Sequence, residues 1–200
     1  MCQFFSGLAF KNGDIHYNPM TDSHEYLIEE RELDDKVDIS SVNRNWVRFE
    51  YTSDKLSDLK TYKLKIDESS TPGWCDKEYK DNLVEKLRVI VKSMILCDVE
   101  KKILIGGCWI LTGGSIIDKT VSARIILMDK TSKVGEMCET SQVGVMRGTS
   151  KVVVMCGTSQ VGVMWETSKV GVMCETSKVG EMLGTSQVGV NNSKKELPKK

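Results

Sequence analysis

From Thr131 to Ser193 a nine-residue phrase runs seven times without interruption: TSKVGEMCE, TSQVGVMRG, TSKVVVMCG, TSQVGVMWE, TSKVGVMCE, TSKVGEMLG and TSQVGVNNS. A short fixed period restricts a chain to a repeat architecture, because each copy must satisfy the same surroundings as its neighbours. Differences among the copies then read as an internal mutation series. Valine at the fourth position never varies (Val134, Val143, Val152, Val161, Val170, Val179, Val188). The seventh is methionine in six copies (Met137, Met146, Met155, Met164, Met173, Met182) and Asn191 in the last. These two positions are the expected core. The sixth position mixes Val with Glu136 and Glu181, the eighth mixes Cys with Arg147, Trp165, Leu183 and Asn192, and the ninth takes Glu, Gly or Ser; such mixtures mark solvent. The unvarying Ser of the second position is expected inside near a bend, and the Gly of the fifth, replaced once by Val153, at a corner needing permissive dihedrals.

Thr, Ser, Val and Gly are poorer helix formers than Ala, Leu or Lys, so the phrase is read as strand. A second period gives the coil: Cys138, Cys156 and Cys174 stand eighteen apart, with Arg147, Trp165 and Leu183 in the alternate copies. Two nonads therefore close one flattened coil of a parallel β-solenoid. Degenerate copies precede the clean ones: Ser122 to Lys130 places Ile125 and Met128 in the core positions, Gly113 to Val121 places Ile116 in the valine position, and Leu104 to Thr112 forms a lead-in. That makes about ten nonads, or roughly five coils, at ~4.8 Å each.

Before the repeats, the apolar and aromatic stretch Met1 to Phe10 and Ile15 to Tyr17 flank an Asn12-Gly13 turn and predict a β-hairpin. Asp22-Ser23-His24-Glu25 predicts a helix start with Asp22 as cap and Glu25 three residues on. Strands are expected over 46–51 and 61–67 and a long helix over 76–97, its apolar face carrying Leu83, Leu87, Ile90, Val91, Met94 and Ile95. The fold class is thus an α+β N-terminal domain followed by a short solenoid: residues 1–100 form an α/β head ending in a long helix, 101–193 the solenoid with clean copies over 131–193, and 194–200 a basic tail. The head is expected to cap the first coil.

Formal net charge is zero, with 14 basic and 20 acidic residues in 1–100 against 14 and 8 in 101–200. A nucleic-acid binder should be strongly basic and a DNA mimic strongly acidic, so neither class is expected. Seven cysteines without a C-x-x-C pair, and no secretory h-region, point to a reducing, cytoplasmic setting. No apolar run reaches the ~18 residues of a membrane span.

The motifs M-C-x-F-F-S, D-S-H-E, V-R-F-E-Y, S-T-P-G-W, S-M-I-L and L-I-G-G-C-W-I-L, followed by T-S-Q-V-G-V-M nonads, together resemble a family of uncharacterised proteins encoded by bacteriophages and phage-like elements. The resemblance spans essentially the whole chain. It implies a viral gene product working in a host cytoplasm and carries no activity, cofactor or site residue with it.

Catalytic candidates are weak. Cys2, exposed as an N-terminal residue if Met1 is removed, could act as nucleophile and base, but a buried strand cysteine is the plainer reading. His24 lies beside Ser23 in the sequence, a poor arrangement for a dyad and a good one for a helix start. The Cys138, Cys156, Cys174 file reads as a tolerated outward ladder, because zinc wants ligands converging from several directions. No cofactor or metal is expected. Trp165, between Arg147 and Leu183 in its file, is the one large apolar side chain expected outside the core, and the file is a candidate interaction surface, the alternative being an ordinary exposed aromatic. The expected function is a non-enzymatic interaction or structural protein whose solenoid presents files of side chains to a host or viral protein. The alternative is a small hydrolase or transferase in the head using Cys2 or the His24 region, with the solenoid as an oligomerisation spacer.

Overall fold

Val134, Val152 and Val170 occupy matching positions on three parallel strands, each at 1% exposure or less. The eighteen-residue superperiod produces this, since every second nonad returns to the same side of the coil. The computed structural model describes residues 5–33, 44–194 and 196–198 and divides the chain into two compact units, 1–93 and 94–200.

The first unit holds an antiparallel sheet of β1 (Ser6–Phe10), β2 (Ile15–His16), β3 (Trp46–Thr52) and β4 (Lys63–Ile66), in the order β2-β1-β3-β4. Alternation along β1 and β3 sends Leu8 and Trp46 to one face, where Leu27 and Ile28 of α1 (His24–Glu30) cover them. Val47, Phe49 and Tyr51 point the other way and are wholly buried. The long helix α2 (Lys77–Met94) buries Leu83, Leu87 and Val91 at helical spacing. It is tied to the β1–β2 hairpin by the Tyr79 hydroxyl, which donates to the Phe10 carbonyl at 2.6 Å, and by Lys86 Nζ, which donates to the Gly13 carbonyl at 2.6 Å. The expected helix over 76–97 is too long at its end. Ile95 to Cys97 is a strand whose Ile95 and Leu96 pair with Ile110 and Leu111, so tertiary pairing overrides the helical period there.

Twelve strands make the second unit: β5 (Ile95–Cys97), β6 (Glu100–Ile105), β7 (Cys108–Thr112), β8 (Ile116–Val121), β9 (Arg124–Met128), β10 (Lys133–Cys138), β11 (Gln142–Met146), β12 (Lys151–Met155), β13 (Gln160–Met164), β14 (Lys169–Glu175), β15 (Lys178–Met182) and β16 (Gln187–Ser193). Even-numbered strands form one six-stranded parallel sheet and odd-numbered strands the other. The unit is a β-solenoid of about six turns, two strands to each turn of about 18 residues. The extra turn beyond the five expected comes from β5 and β6. They lack the repeat phrase yet bury Leu96 and Leu104 in the same core.

Two expectations change inside the coils. Ile117, wholly buried and paired with Val134, takes the valine position that the spacing assigns to Ile116, which is 36% exposed. The stretch Gly114 to Val121 is one residue short, and Ser122 absorbs the loss with a left-handed φ of 48°. The fifth-position glycines do not lie at corners but within strands. A Cβ on Gly162 or Gly180 would lie 2.6 Å from the carbonyl oxygen of the residue one coil earlier. Inward residues fall at positions two, four and seven, so strict alternation is broken between Val and Met, and glycine occupies the extra outward place. The true corner is the ninth position: Glu139, Gly148, Gly157, Glu166, Glu175 and Gly184 all have φ between 56° and 66°.

Candidate functional site

Arg147, Trp165 and Leu183 follow the ends of β11, β13 and β15, one per coil. Their backbone N–H groups donate at 2.8 Å to the carbonyls of Met128, Met146 and Met164 in the coil before, so the three residues stack in one file. Immediately inside them sit the fully buried Met146 and Met164 and the nearly buried Met182, which fix the backbone beneath the file. Trp165 remains 44% exposed, Arg147 is exposed and Leu183 is half-buried. The file therefore combines a cation, an aromatic ring and an aliphatic side chain on a backbone that cannot shift without breaking a coil. Trp165 is not the one large apolar side chain outside the core, however. Ile103 and Ile105 on β6 are 46% and 71% exposed, because they flank the buried Leu104 along the strand and so point outward.

The core positions behave as the repeat demands. Val134, Val143, Val152, Val161, Val170 and Val179 are at most 5% exposed, and Met137, Met146, Met155, Met164 and Met173 are fully buried, with Met182 at 6%. Val188 is only partly buried, since it lies in β16, the last strand of its sheet. The invariant Ser lies inside the corner: Ser132, Ser150, Ser159, Ser168 and Ser186 are fully buried, and their hydroxyls have no hydrogen-bond partner.

Two corner features escaped the reading of the sequence. The first-position Thr donates through both backbone N–H and hydroxyl to one carbonyl in the coil before; Thr158, for example, reaches the Glu139 carbonyl at 3.0 Å and 3.2 Å. The ninth position alternates rather than drifts. Glu166 accepts from the N–H of Gly148 and Glu175 from that of Gly157, each at 2.8 Å and each one coil apart. The signal was available as Glu139, Gly157, Glu175 and as Gly148, Glu166, Gly184, eighteen apart.

On the even-numbered sheet the eighth position carries the file Val121, Cys138, Cys156, Cys174, Asn192. All three thiols are half-buried and form no disulfide. Burial pushes the Cys156 thiol above its ordinary range, and the neighbouring Cys174 and Cys138 thiols add to the effect.

In the first unit His24 is 1% exposed. Its Nε2 lies 3.0 Å from the Phe49 carbonyl and its Nδ1 faces the Asp67 carboxylate at 3.7 Å, so the ring ties α1 to the sheet and is closed to a substrate. Ser23, not Asp22, is the N-cap: its hydroxyl accepts from the Tyr26 N–H at 3.2 Å and donates to Glu25 at 3.0 Å. The short side chain nearest the first turn wins the cap. Cys2 lies outside the described residues. The buried carboxylate of Glu68 accepts from Arg44 and Arg48 guanidinium nitrogens at 3.2 Å and from the Arg48 N–H at 2.9 Å, while Arg44 lies 3.7 Å above the Trp46 ring. This network rivets the end of β4 to β3. A cavity of about 140 Å³ opens between the hairpin turn and α2, lined by Lys11, Asn12, Gly13, Tyr79, Asn82, Leu83 and Lys86. Burial pushes the Tyr79 phenol up to about 12, so it stays protonated and holds its bond to Phe10.

Among the described residues no three His, Cys, Asp or Glu side chains converge as a metal-binding group, and no helix is long and apolar enough to cross a membrane. No family model matches the chain, and no match was found among curated proteins or solved structures.

Proposed function

We propose that this chain is a non-enzymatic recognition protein that holds Arg147, Trp165 and Leu183 in fixed register against a protein partner. The supporting observation is the 44% exposure of Trp165 in a repeat whose buried fourth position is invariant while its eighth position is not. Arg and Trp are the residue types that concentrate binding energy at protein interfaces, and a preformed scaffold spends no ordering entropy on presenting them. The partner surface that fits is an apolar pocket for the indole beside a carboxylate for Arg147. With the resemblance to phage-encoded proteins taken as a guide, that partner is proposed to be a host or viral protein in an infected cell.

The test is site-specific photocrosslinking in that cell. A crosslinker at position 165 should capture one defined protein, and capture should fall with Arg147→Glu while the melting temperature stays unchanged. Equal capture of the same protein from Lys133, on the opposite sheet, would overturn the assignment.

A further inference from the structure

We propose that the file Cys138, Cys156, Cys174 is a binding site for a soft, two-coordinate d10 cation of the Cu(I) or Ag(I) type, held between thiolates of successive coils.

The argument is one of spacing. The three residues occupy one position on consecutive strands of a parallel in-register sheet: Met137 pairs with Met155 and Met155 with Met173, and each cysteine follows its methionine. The Cys156 N–H donates to the Met137 carbonyl at 2.8 Å, so the ladder continues through the cysteine itself. Neighbouring side chains in such a ladder stand ~4.8 Å apart and point the same way. A disulfide wants its two Cβ atoms about 3.5–4.5 Å apart, so closing one here would pinch two coils together. With the zinc–thiolate length of roughly 2.3 Å as the scale of a metal–sulfur bond, an ion set midway between two sulfurs spans about 4.6 Å, close to the coil spacing. Parallel side chains also give a collinear S–metal–S arrangement. That geometry suits soft monovalent ions and excludes zinc, which needs ligands from four directions.

The surroundings support the same reading. The thiols are half-buried rather than open, with Val121 at one end of the file and Asn192 at the other. Lys119 lies at the Cys138 end, where it is also 3.4 Å from Glu136, and its charge offsets that of an anionic bis-thiolate complex. Binding breaks two S–H bonds and forms two metal–sulfur bonds, releasing two protons to solvent. The ion remains monovalent and the sulfurs are not oxidised. Cys156 is flanked by a thiol on both sides and belongs to either possible bridge, so it is the indispensable ligand.

The experiment is an anaerobic titration of reduced full-length protein with Cu(I) supplied from a bicinchoninate complex, followed by loss of the chelate colour and by native mass spectrometry. The wild-type chain should withdraw Cu(I) from the chelator. Cys156→Ser should weaken binding by at least about 100-fold, since it removes a donor from both bridges. Cys138→Ser and Cys174→Ser should each leave one bridge and cost much less, and Cys97→Ser, an exposed thiol elsewhere in the coil, should change nothing. If Cys156→Ser does not fold, the double variant Cys138→Ser/Cys174→Ser, which isolates Cys156, must show the same loss. Unchanged affinity in either variant, or an equal loss in Cys97→Ser, would overturn the site. So would ready formation of a Cys156–Cys174 disulfide with oxidised glutathione, because the thiols would then approach more closely than the coil spacing.

Discussion

The carboxylate of Glu175 accepts a 2.8 Å hydrogen bond from the backbone N–H of Gly157, directly across one coil, at a corner where both residues are left-handed. The partnership accounts for both identities. A Cβ on Gly157 would press on the Glu139 backbone at 3.0 Å in the coil before, while the Glu175 carboxylate reaches the Gly157 N–H from the coil after. Gly157→Glu should therefore destabilise the solenoid by roughly 1–2 kcal/mol. Glu175→Ala, which leaves an exposed N–H to water, should cost about 0.5–1 kcal/mol. Denaturant melts of the two variants check the order, and a larger loss from Glu175→Ala would contradict it.

Val161 is 1% exposed and Trp165, four residues on, is 44% exposed. Val161→Asp should cost at least about 3 kcal/mol by burying an unpaired carboxylate, whereas Trp165→Ala should stay within about 0.5 kcal/mol. Comparable losses in thermal unfolding would mean that the two side chains share an environment.

The buried serines divide into two kinds. Ser168 has no partner for its hydroxyl, whereas the Ser115 hydroxyl lies 2.9 Å and 2.8 Å from the carbonyls of Leu96 and Thr112. Ser168→Ala should raise stability by about 1 kcal/mol and Ser115→Ala should lower it by about the same amount. Opposite signs in the two melts are the expected outcome; a loss from Ser168→Ala would show that its hydroxyl is bonded after all.

Asp98 accepts a 2.6 Å hydrogen bond from the Gly114 N–H. That bond chiefly, with the Cys97 thiol second, holds the Asp98 carboxyl below its ordinary value of 3.8. A depressed carboxyl stabilises the fold fully above the unfolded value, and the contribution is lost as pH falls through the folded one. The Gly114 amide resonance should thus titrate with a midpoint under 3.8, and the transition should vanish in Asp98→Asn. A midpoint at or above 3.8 would remove the bond from the account.

Excision of residues 149–166 takes out one whole coil and returns Cys174 to the file of Cys138. Excision of 149–157 moves Trp165 into the cysteine file and puts every later residue on the wrong sheet. The shorter deletion should melt at the lower temperature although it removes half as much chain, because repeat stability is summed over matched neighbours.

The sequence carried the coil because the same environment was sampled seven times, so invariance at Val161 and variability at Trp165 could be read as inside and outside. It failed where sampling stopped. Ile116 and Ile117 are adjacent, equally apolar and present once, and only the shortened corner at Ser122 decides between them. Ile95 continues the helical spacing of Ile90 and Val91, so periodicity could not show that its backbone pairs with Ile110. Glycine at position five announced permissive dihedrals, but its reason is the carbonyl one coil away, which no single copy reveals. The Glu68 network joins Arg44 and Arg48 to a residue twenty positions or more distant, a pairing that local pattern does not encode. Of the candidate face, the stacking of Arg147, Trp165 and Leu183 was legible from the period; the exposure of Ile103 and Ile105 on the opposite sheet was not, because β6 lacks the repeat phrase.

Every interstrand bond of the two parallel sheets runs along the stacking direction, so a pull applied to the C-terminus loads the outermost coil alone. Force would peel the solenoid like thread from a spool. Each coil released would free about 18 residues of extended chain, near 60 Å, in exchange for ~4.8 Å of folded length. A single-molecule trace of this unit should therefore be a staircase of equal steps and low, repeated forces, the mechanical signature of a shock absorber rather than of a clamp.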